Sequence, residues 1–183
     1  MSADRIPFQV TSAGAAYRFG KLPVHVALVD VRSLYNVGAF FRTCDAAGVD
    51  TLHLCGITGY PPNRQIHKTA LGSEESVQWR RHADAPGLLR GLRDSGHEIA
   101  AVETSIHAVD LFDWQPRFPV CLVFGNEVEG LDPAVSAACD THVRIPMLGL
   151  KHSLNVATAG GVALYDLLRK YRLLAGDRAG AAR

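Results

Sequence analysis

FPVCLVFGNEVEGLDP, residues 118–133, is the stretch that decides the fold. Its first half, FPVCLVFG (118–125), is an unbroken apolar run of strand length. Such a run, bounded by turn residues, fits a strand covered on both faces, as in a parallel sheet. Its second half brackets Asn126, Glu127 and Glu129 between Gly125 and Gly130, and LDPAVSAACD (131–140) then reads as a short helix with Pro133 at its start. A strand that ends in a glycine-rich turn and opens into a helix is the repeating unit of an α/β domain, and ligands bind in such sheets outside the carboxyl ends of the strands.

The rest of the chain repeats that alternation. VHVALVDV (24–31), DTLHLCG (50–56), HEIAAVET (97–104) and THVRIPM (141–147) read as further strands. Helices are predicted after the first, capped near Asn36 and stopped by Gly48, and over APGLLRGLRDSG (85–96). A long helix is predicted from Ser153 to about Leu174, with Leu154, Ala157, Gly161, Leu164, Leu168 and Tyr171 on one side. Residues 57–66, with two prolines, read as a loop. The expected fold class is α/β, a mostly parallel sheet flanked by helices. The chain divides into a short extension (1–23), one domain (24–174) and a frayed tail (175–183).

Bulk properties narrow the function. The chain has 183 residues, 48% hydrophobic and 20% charged, with a net charge of +1, which suits one globular domain. No apolar run approaches the ~20 residues that cross a bilayer, and the start MSADRIPFQV lacks a secretion signal, so a cytoplasmic protein is expected. The four cysteines form no C-x-x-C pair and read as reduced structural residues. The eight histidines have no zinc-ligand spacing, so no metal is expected. Nucleic-acid binding rests on local clusters rather than on net charge, and two exist: Arg80-Arg81-His82 and Arg169-Lys170-Tyr171-Arg172.

Three segments carry candidate chemistry. NVGAFFR (36–42) places an asparagine, a glycine and Arg42 after the first strand. Taken alone, it is a helix cap and a surface arginine. FGNEVEGLDP (124–133) matches G-x-x-x-x-G without the following Lys-Ser/Thr, which disfavours a phosphate-binding loop, and there is no G-x-G-x-x-G. Its glutamates suit a ligand with positive charge or hydrogen-bond donors, or simply sit solvated in a turn. RIPMLGLKHSLNVATAGG (144–161) puts Ser153 and Asn155 at a helix N-terminus, where the ordinary use is capping. Gly160 and Gly161 inside that helix imply close packing, internal or across a dimer.

The order N-x-G-x-x-x-R, F-G-N-E-x-x-G-L, I-P-M-x-G-x-x-x-S-L-N-V resembles the SpoU family of RNA ribose 2′-O-methyltransferases in the SPOUT superfamily, over about residues 24–172. The resemblance implies a C-terminal deep trefoil knot, a homodimer and S-adenosylmethionine as cofactor, with RNA as substrate and transfer RNA favoured for so compact a chain. It implies Asn36, Arg42, Glu127, Ser153 and Asn155 as catalytic positions. Thr104, Gly125, Asn126, Glu127, Ile145, Met147, Ser153 and Leu154 are the implied cofactor-binding positions. Arg42, Arg64, Lys68, Arg80 and Arg81 are the candidate RNA contacts. An arginine has a pKa above ~12 and is a poor base, so phosphate binding and stabilisation of a developing alkoxide suit Arg42 better. Relatives often carry a small residue before the first asparagine; here it is Tyr35, which either stacks on a base or packs. The rival expectations are the same reaction on ribosomal RNA, a non-catalytic RNA-binding protein of the same fold, and a nucleotide hydrolase.

Overall fold

The structure, a computed structural model, describes residues 21–181, with side chains through Ala175. Seven strands form one sheet in the order β3-β2-β1-β6-β4-β7-β5, and every pairing is parallel. The strands are β1 (Leu22–Val29), β2 (Val49–Cys55), β3 (Trp79–His82), β4 (Glu98–Val102), β5 (Val109–Asp110), β6 (Val120–Phe124) and β7 (Thr141–Arg144). The helices are α1 (Leu34–Ala47), α2 (Arg64–Ala70), α3 (Ser73–Ser76), α4 (Ala85–Asp94), α5 (Pro133–Ala137) and α6 (Val156–Ala181). The expected α/β class with a mostly parallel sheet is therefore what the chain adopts. No helix among the described residues is long and apolar enough to cross a membrane.

Alternation along the strands builds two cores. Val24, Val26 and Leu28 of β1 join Leu52, Leu54, Leu122 and Phe124 beneath α1, α2 and α6. Ala27, Val29, Ile99, Cys121 and Val123 face the other way, against Leu89 of α4 and Val135 of α5. β6 is buried at all five positions and pairs with both β1 and β4. The sheet order turns there: β1, β2 and β3 step outward on one side, and β4, β7 and β5 lie on the other. That turn is a topological switch point.

Several boundaries differ from the sequence reading. β1 starts at Leu22, so part of the expected 1–23 extension belongs to the sheet; residues 1–20 lie outside the described residues. Helix α1 is capped by Ser33, whose hydroxyl accepts from the Asn36 N–H, so Asn36 lies in the first turn rather than at the cap. The 57–66 loop ends early, because Asn63 caps α2 through the Gln65 and Ile66 N–H groups. The last helix begins at Val156 rather than Ser153: Asn155 Oδ1 accepts from the N–H groups of Ala157 and Thr158 at 2.9 and 3.2 Å. It runs on to Ala181, past the expected end at 174. The short elements α2, α3, β3 and β5 are not among the elements predicted from the sequence.

The four thiols are free, and burial pushes Cys55 and Cys139 up to about 12. Gly160 is the tight point of α6, where a Cβ would lie 2.3 Å from Phe40 of α1. A Cβ at Gly161 would meet nothing.

Candidate active site

The sharp turn after β6 sets the site. Asn126 and Gly130 exchange both backbone hydrogen bonds at 3.0 Å. A Cβ on Gly125 would sit 2.5 Å from the Gly130 carbonyl carbon and 2.7 Å from the Leu131 nitrogen, so only glycine fits. The buried Asn126 side chain closes the loop from inside. Its Oδ1 accepts from the Val128 and Glu129 N–H groups, and its Nδ2 donates to the Asp30 carbonyl at 3.0 Å.

That closure aims Glu127 at the start of α1. Its carboxylate accepts from the Arg32 N–H at 3.1 Å, the Ser33 N–H at 3.1 Å and Asn36 Nδ2 at 2.9 Å. Partial burial on its own would push this carboxyl up. The hydrogen bonds from Asn36, Arg32 and Ser33 outweigh it and hold the group below the usual glutamate value. Asn36 Oδ1 accepts in turn from Asn155 Nδ2 at 3.1 Å, and Asn155 caps α6. Residues 36, 127 and 155, from three separate segments, thus form one continuous polar chain joining two helix N-termini.

Beside this chain lies a cavity of about 300 Å³ at the carboxyl ends of β4 and β6. Thr104, Gly125, Asn126, Glu127, Ile145, Met147, Ser153 and Leu154 all line it, together with Val102, Phe124 and Leu131. Its size falls at the lower end of small-molecule pockets, and polar groups such as Glu103, Thr104 and Asn155 share its walls with apolar side chains and glycine backbone. Ser153 and Thr104 are exposed and make no hydrogen bond among the described residues.

Other expected residues lie apart. Arg42 is exposed and unpaired among the described residues. It lies six residues beyond Asn36, roughly 9 Å along the axis and ~120° around α1, and is not in the cavity wall. Arg64 and Lys68 are on α2; Arg80 and Arg81 are exposed on β3, the sheet edge. The second basic cluster is not a basic patch. Lys170 is 7% exposed, paired with Asp166 at 2.8 Å, and donates to the Leu111 and Trp114 carbonyls at 2.6 Å; Arg169 also pairs with Asp166. Tyr35 does not pack in the core, because the residue is 46% exposed. Missed by sequence reading were the Arg32 and Ser33 N–H groups as the anchors of Glu127, for which no side-chain signal exists.

The chain matches the SpoU rRNA Methylase family over residues 23–165. It is 35% identical over 151 residues to a tRNA (guanosine(18)-2′-O)-methyltransferase of Thermus thermophilus, covering 82% of this chain and 76% of that one. It is 32% identical over 147 residues to the enzyme of that name from Escherichia coli K12, covering 79% and 62%. Among solved structures, it superposes on the A. aeolicus TrmH/SpoU tRNA modifying enzyme with a TM-score of 0.76 at 29% identity, over 85% of this chain and 79% of that chain. A SpoU methyltransferase from Streptomyces viridochromogenes, solved with AdoMet, gives 0.72 at 28% identity, over 80% and 57%. With three motif segments joined by one hydrogen-bonded chain beside the cavity and this likeness along most of its length, the chain belongs to the SpoU methylase family.

Proposed function

We propose that the protein methylates a ribose 2′-hydroxyl of RNA, transfer RNA being the substrate class, with S-adenosylmethionine as methyl donor. The observation that carries this reading is the chain Glu127–Asn36–Asn155 at the mouth of the cavity, which ties together three segments that otherwise read as two helix caps and a loop. The two relatives named as transfer RNA guanosine methyltransferases favour that RNA over ribosomal RNA.

The cavity fits the donor. Gly130, where a Cβ would meet nothing, leaves backbone open to a ligand, and Leu131, Ile145, Met147 and Leu154 give an apolar slot for an adenine ring. Thr104, Asn126, Glu127 and Ser153 complete the binding set. When bound, S-adenosylmethionine supplies an electrophilic methyl carbon to the attacking 2′-oxygen. Glu127, whose carboxylate already accepts three hydrogen bonds, organises the mouth rather than taking a proton. Asn36 and Asn155 fix the two helix starts between which the ribose is held, and the free Ser153 hydroxyl faces the cavity. Holding the reacting atoms in line supplies much of the rate.

Arg42 is assigned to the substrate phosphate and to stabilising the developing alkoxide. Its distance from the cavity of its own chain supports a homodimer in which Arg42 of one chain serves the cavity of the other. The open side of α6 at Gly161, the exposed Tyr165, and the fully exposed Leu148 and Leu150 beside the cavity support that assembly. The C-terminal trefoil knot belongs to the same reading, with residues 145–155 returning from β7 to the β6 turn. Residues 24–174 hold its catalytic unit, to which the start of β1 at Leu22 and the end of α6 at Ala181 add, and the cytoplasm is the location that follows from the substrate.

The test is an assay with tritiated S-adenosylmethionine and unmodified transfer or ribosomal RNA. Label in a transfer RNA ribose is expected. Arg42→Ala should lower turnover ~10²-fold or more with cofactor affinity kept, the usual scale for losing a stabiliser of developing negative charge. Cofactor binding without ribose label in either RNA overturns the assignment, and label in ribosomal RNA alone moves it to that substrate.

A further inference from the structure

Two exposed tyrosines stand near the start of α1, each with a cation over its ring. Tyr35 is 46% exposed, and Lys68 Nζ lies 5.9 Å from its ring centroid. Tyr60 is 41% exposed, and Arg81 Cζ lies 4.5 Å from its centroid while Arg81 Nη1 donates to the phenol oxygen at 3.2 Å. The first pair comes from α1 and α2, the second from the loop after β2 and the edge strand β3.

The backbone brings the two pairs together. Thr69 Oγ1 donates to the Tyr35 carbonyl at 3.0 Å, and a Cβ on Gly38 would fall 2.0 Å from that hydroxyl, so α2 lies directly on α1 and carries Lys68 to the ring. A Cβ on Gly59 would fall 2.1 Å from Leu34 Cδ2, so the loop bearing Tyr60 abuts the first turn of α1 beside Tyr35. Asn36, next in sequence to Tyr35, bonds to the Glu127 and Asn155 that line the cavity. Tyr60 also has an aromatic neighbour, Trp79, with ring centroids 6.5 Å apart, which helps hold its ring in place. A phenol ring with a fixed cation matches the face of an unpaired base and the phosphate next to it.

We infer that Tyr35 and Tyr60 form a stacking platform for two unpaired bases flanking the methylated ribose, with Lys68 and Arg81 neutralising the adjoining phosphates. The inference rests on the RNA methyltransferase reading for its substrate, and it adds to that reading the requirement that the target lie in a single-stranded loop. Neither tyrosine reaches the cavity wall, so both act on RNA affinity and register rather than on the methyl donor.

The test is fluorescence anisotropy of the full chain with a fluorescein-labelled single-stranded oligoribonucleotide of mixed sequence, and with the same strand annealed to its complement. S-adenosylmethionine affinity is followed by calorimetry. Tyr35→Leu and Tyr60→Leu should each weaken single-strand binding roughly tenfold or more, the scale of losing one stacked base. Tyr35→Phe should stay within about twofold of the native chain, because the ring face remains. Lys68→Gln should lower the slope of log affinity against log salt by about one. The duplex should bind more weakly than the single strand, and cofactor affinity should be unchanged throughout. The inference fails if the leucine variants bind as the native chain does, if Phe is as poor as Leu, if the duplex binds equally well, or if the native chain binds no single-stranded RNA. It also fails if the leucine variants dissociate a dimer in sedimentation, which assigns the rings to a second copy. Stacking without ribose methylation sinks the enzymatic reading alone; methylation indifferent to both rings sinks this one alone.

Discussion

Two polar networks sit on this sheet and are built from opposite materials. At the carboxyl ends of β4 and β6, carboxamides and one carboxylate are anchored on backbone N–H groups: Glu127 on Arg32 and Ser33, Asn155 on Ala157 and Thr158, with Asn36 between them. Across β1, β2 and β3, on the face away from α1, imidazoles are anchored on one another. His25 Nδ1 meets His53 Nε2 at 3.0 Å, His53 Nδ1 meets His82 Nε2 at 3.0 Å, and His25 Nε2 meets Asp50 at 3.2 Å. Neutral rings satisfy these bonds in one way only. Asp50 can only accept, so every ring is protonated on Nε2 and donates toward it. The mouth is thus made of groups that do not change charge between about pH 5 and 8, and the ladder of imidazoles, whose ordinary pKa lies in that range and is lowered by the fold. The cavity mouth is tied to backbone, whereas the opposite sheet face is filled with titratable rings.

The largest effect should come from breaking the geometry under the mouth. Gly125→Ala drives a Cβ into backbone at Gly130 and Leu131, which cannot swing aside as a side chain would. The loop must move, and with it Glu127. A loss of about 3 kcal/mol in chemical denaturation is expected, together with loss of S-adenosylmethionine binding in calorimetry. Native-like affinity in this variant would show that the tight turn does not shape the cavity.

The ladder should give the next largest effect, and only in acid. Burial first, then the neighbouring His25, His82, Arg80 and His97, pull His53 down to about 3; His25 and His82 are also lowered. Asp50 accepts from His25, and its charge opposes the lowering there. A histidine whose folded pKa is depressed binds its proton more readily unfolded. Stability is therefore full above the unfolded value near 6.5 and falls as the pH drops toward the folded value. His53 alone should cost about 2 kcal/mol between pH 7 and about pH 5. Denaturant titrations across that range should show this decline, and His53→Asn should flatten most of it. A flat native profile would mean that the ladder is protonated in the fold.

How much of this was readable follows from the same contrast. Asn36, Glu127, Ser153 and Asn155 are written in motifs of fixed local spacing, so their convergence could be expected before any coordinates. The ladder is written nowhere locally, because His25, His53 and His82 are 28 and 29 residues apart and meet only through strand register. The edge strand β3, WRRH, has four residues and two arginines, which is how edges resist further pairing and why they carry no apolar signal. Lys170 looked like part of a basic patch because sequence spacing does not reveal the side of a helix that meets Trp114. Asn155 rather than Ser153 caps α6: both residues suit a cap, and only the backbone decides which one has N–H groups two and three residues ahead.

The smallest effect is also the one that isolates the link between the first and third motifs. Asn36→Ala removes the acceptor of Asn155 Nδ2 and the Asn36 donor to Glu127, yet Glu127 keeps its two backbone donors. Asn155→Ala removes the α6 cap and the same Asn36 bond. Each change alone should cost about 1 kcal/mol. The double variant should cost less than the sum by roughly 0.5–1 kcal/mol, because the shared 3.1 Å bond can be lost only once. That coupling should not vary from about pH 5 to 8. The carboxamides carry no titrating proton, and Glu127, held below the usual glutamate value, contributes fully above its unfolded pKa and weakens only as the pH falls through its folded one. Additive losses would mean that the two motifs stand side by side without supporting each other. A coupling that decayed in step with the histidine ladder would mean that the two faces of the sheet are one network, and the contrast between them would be gone.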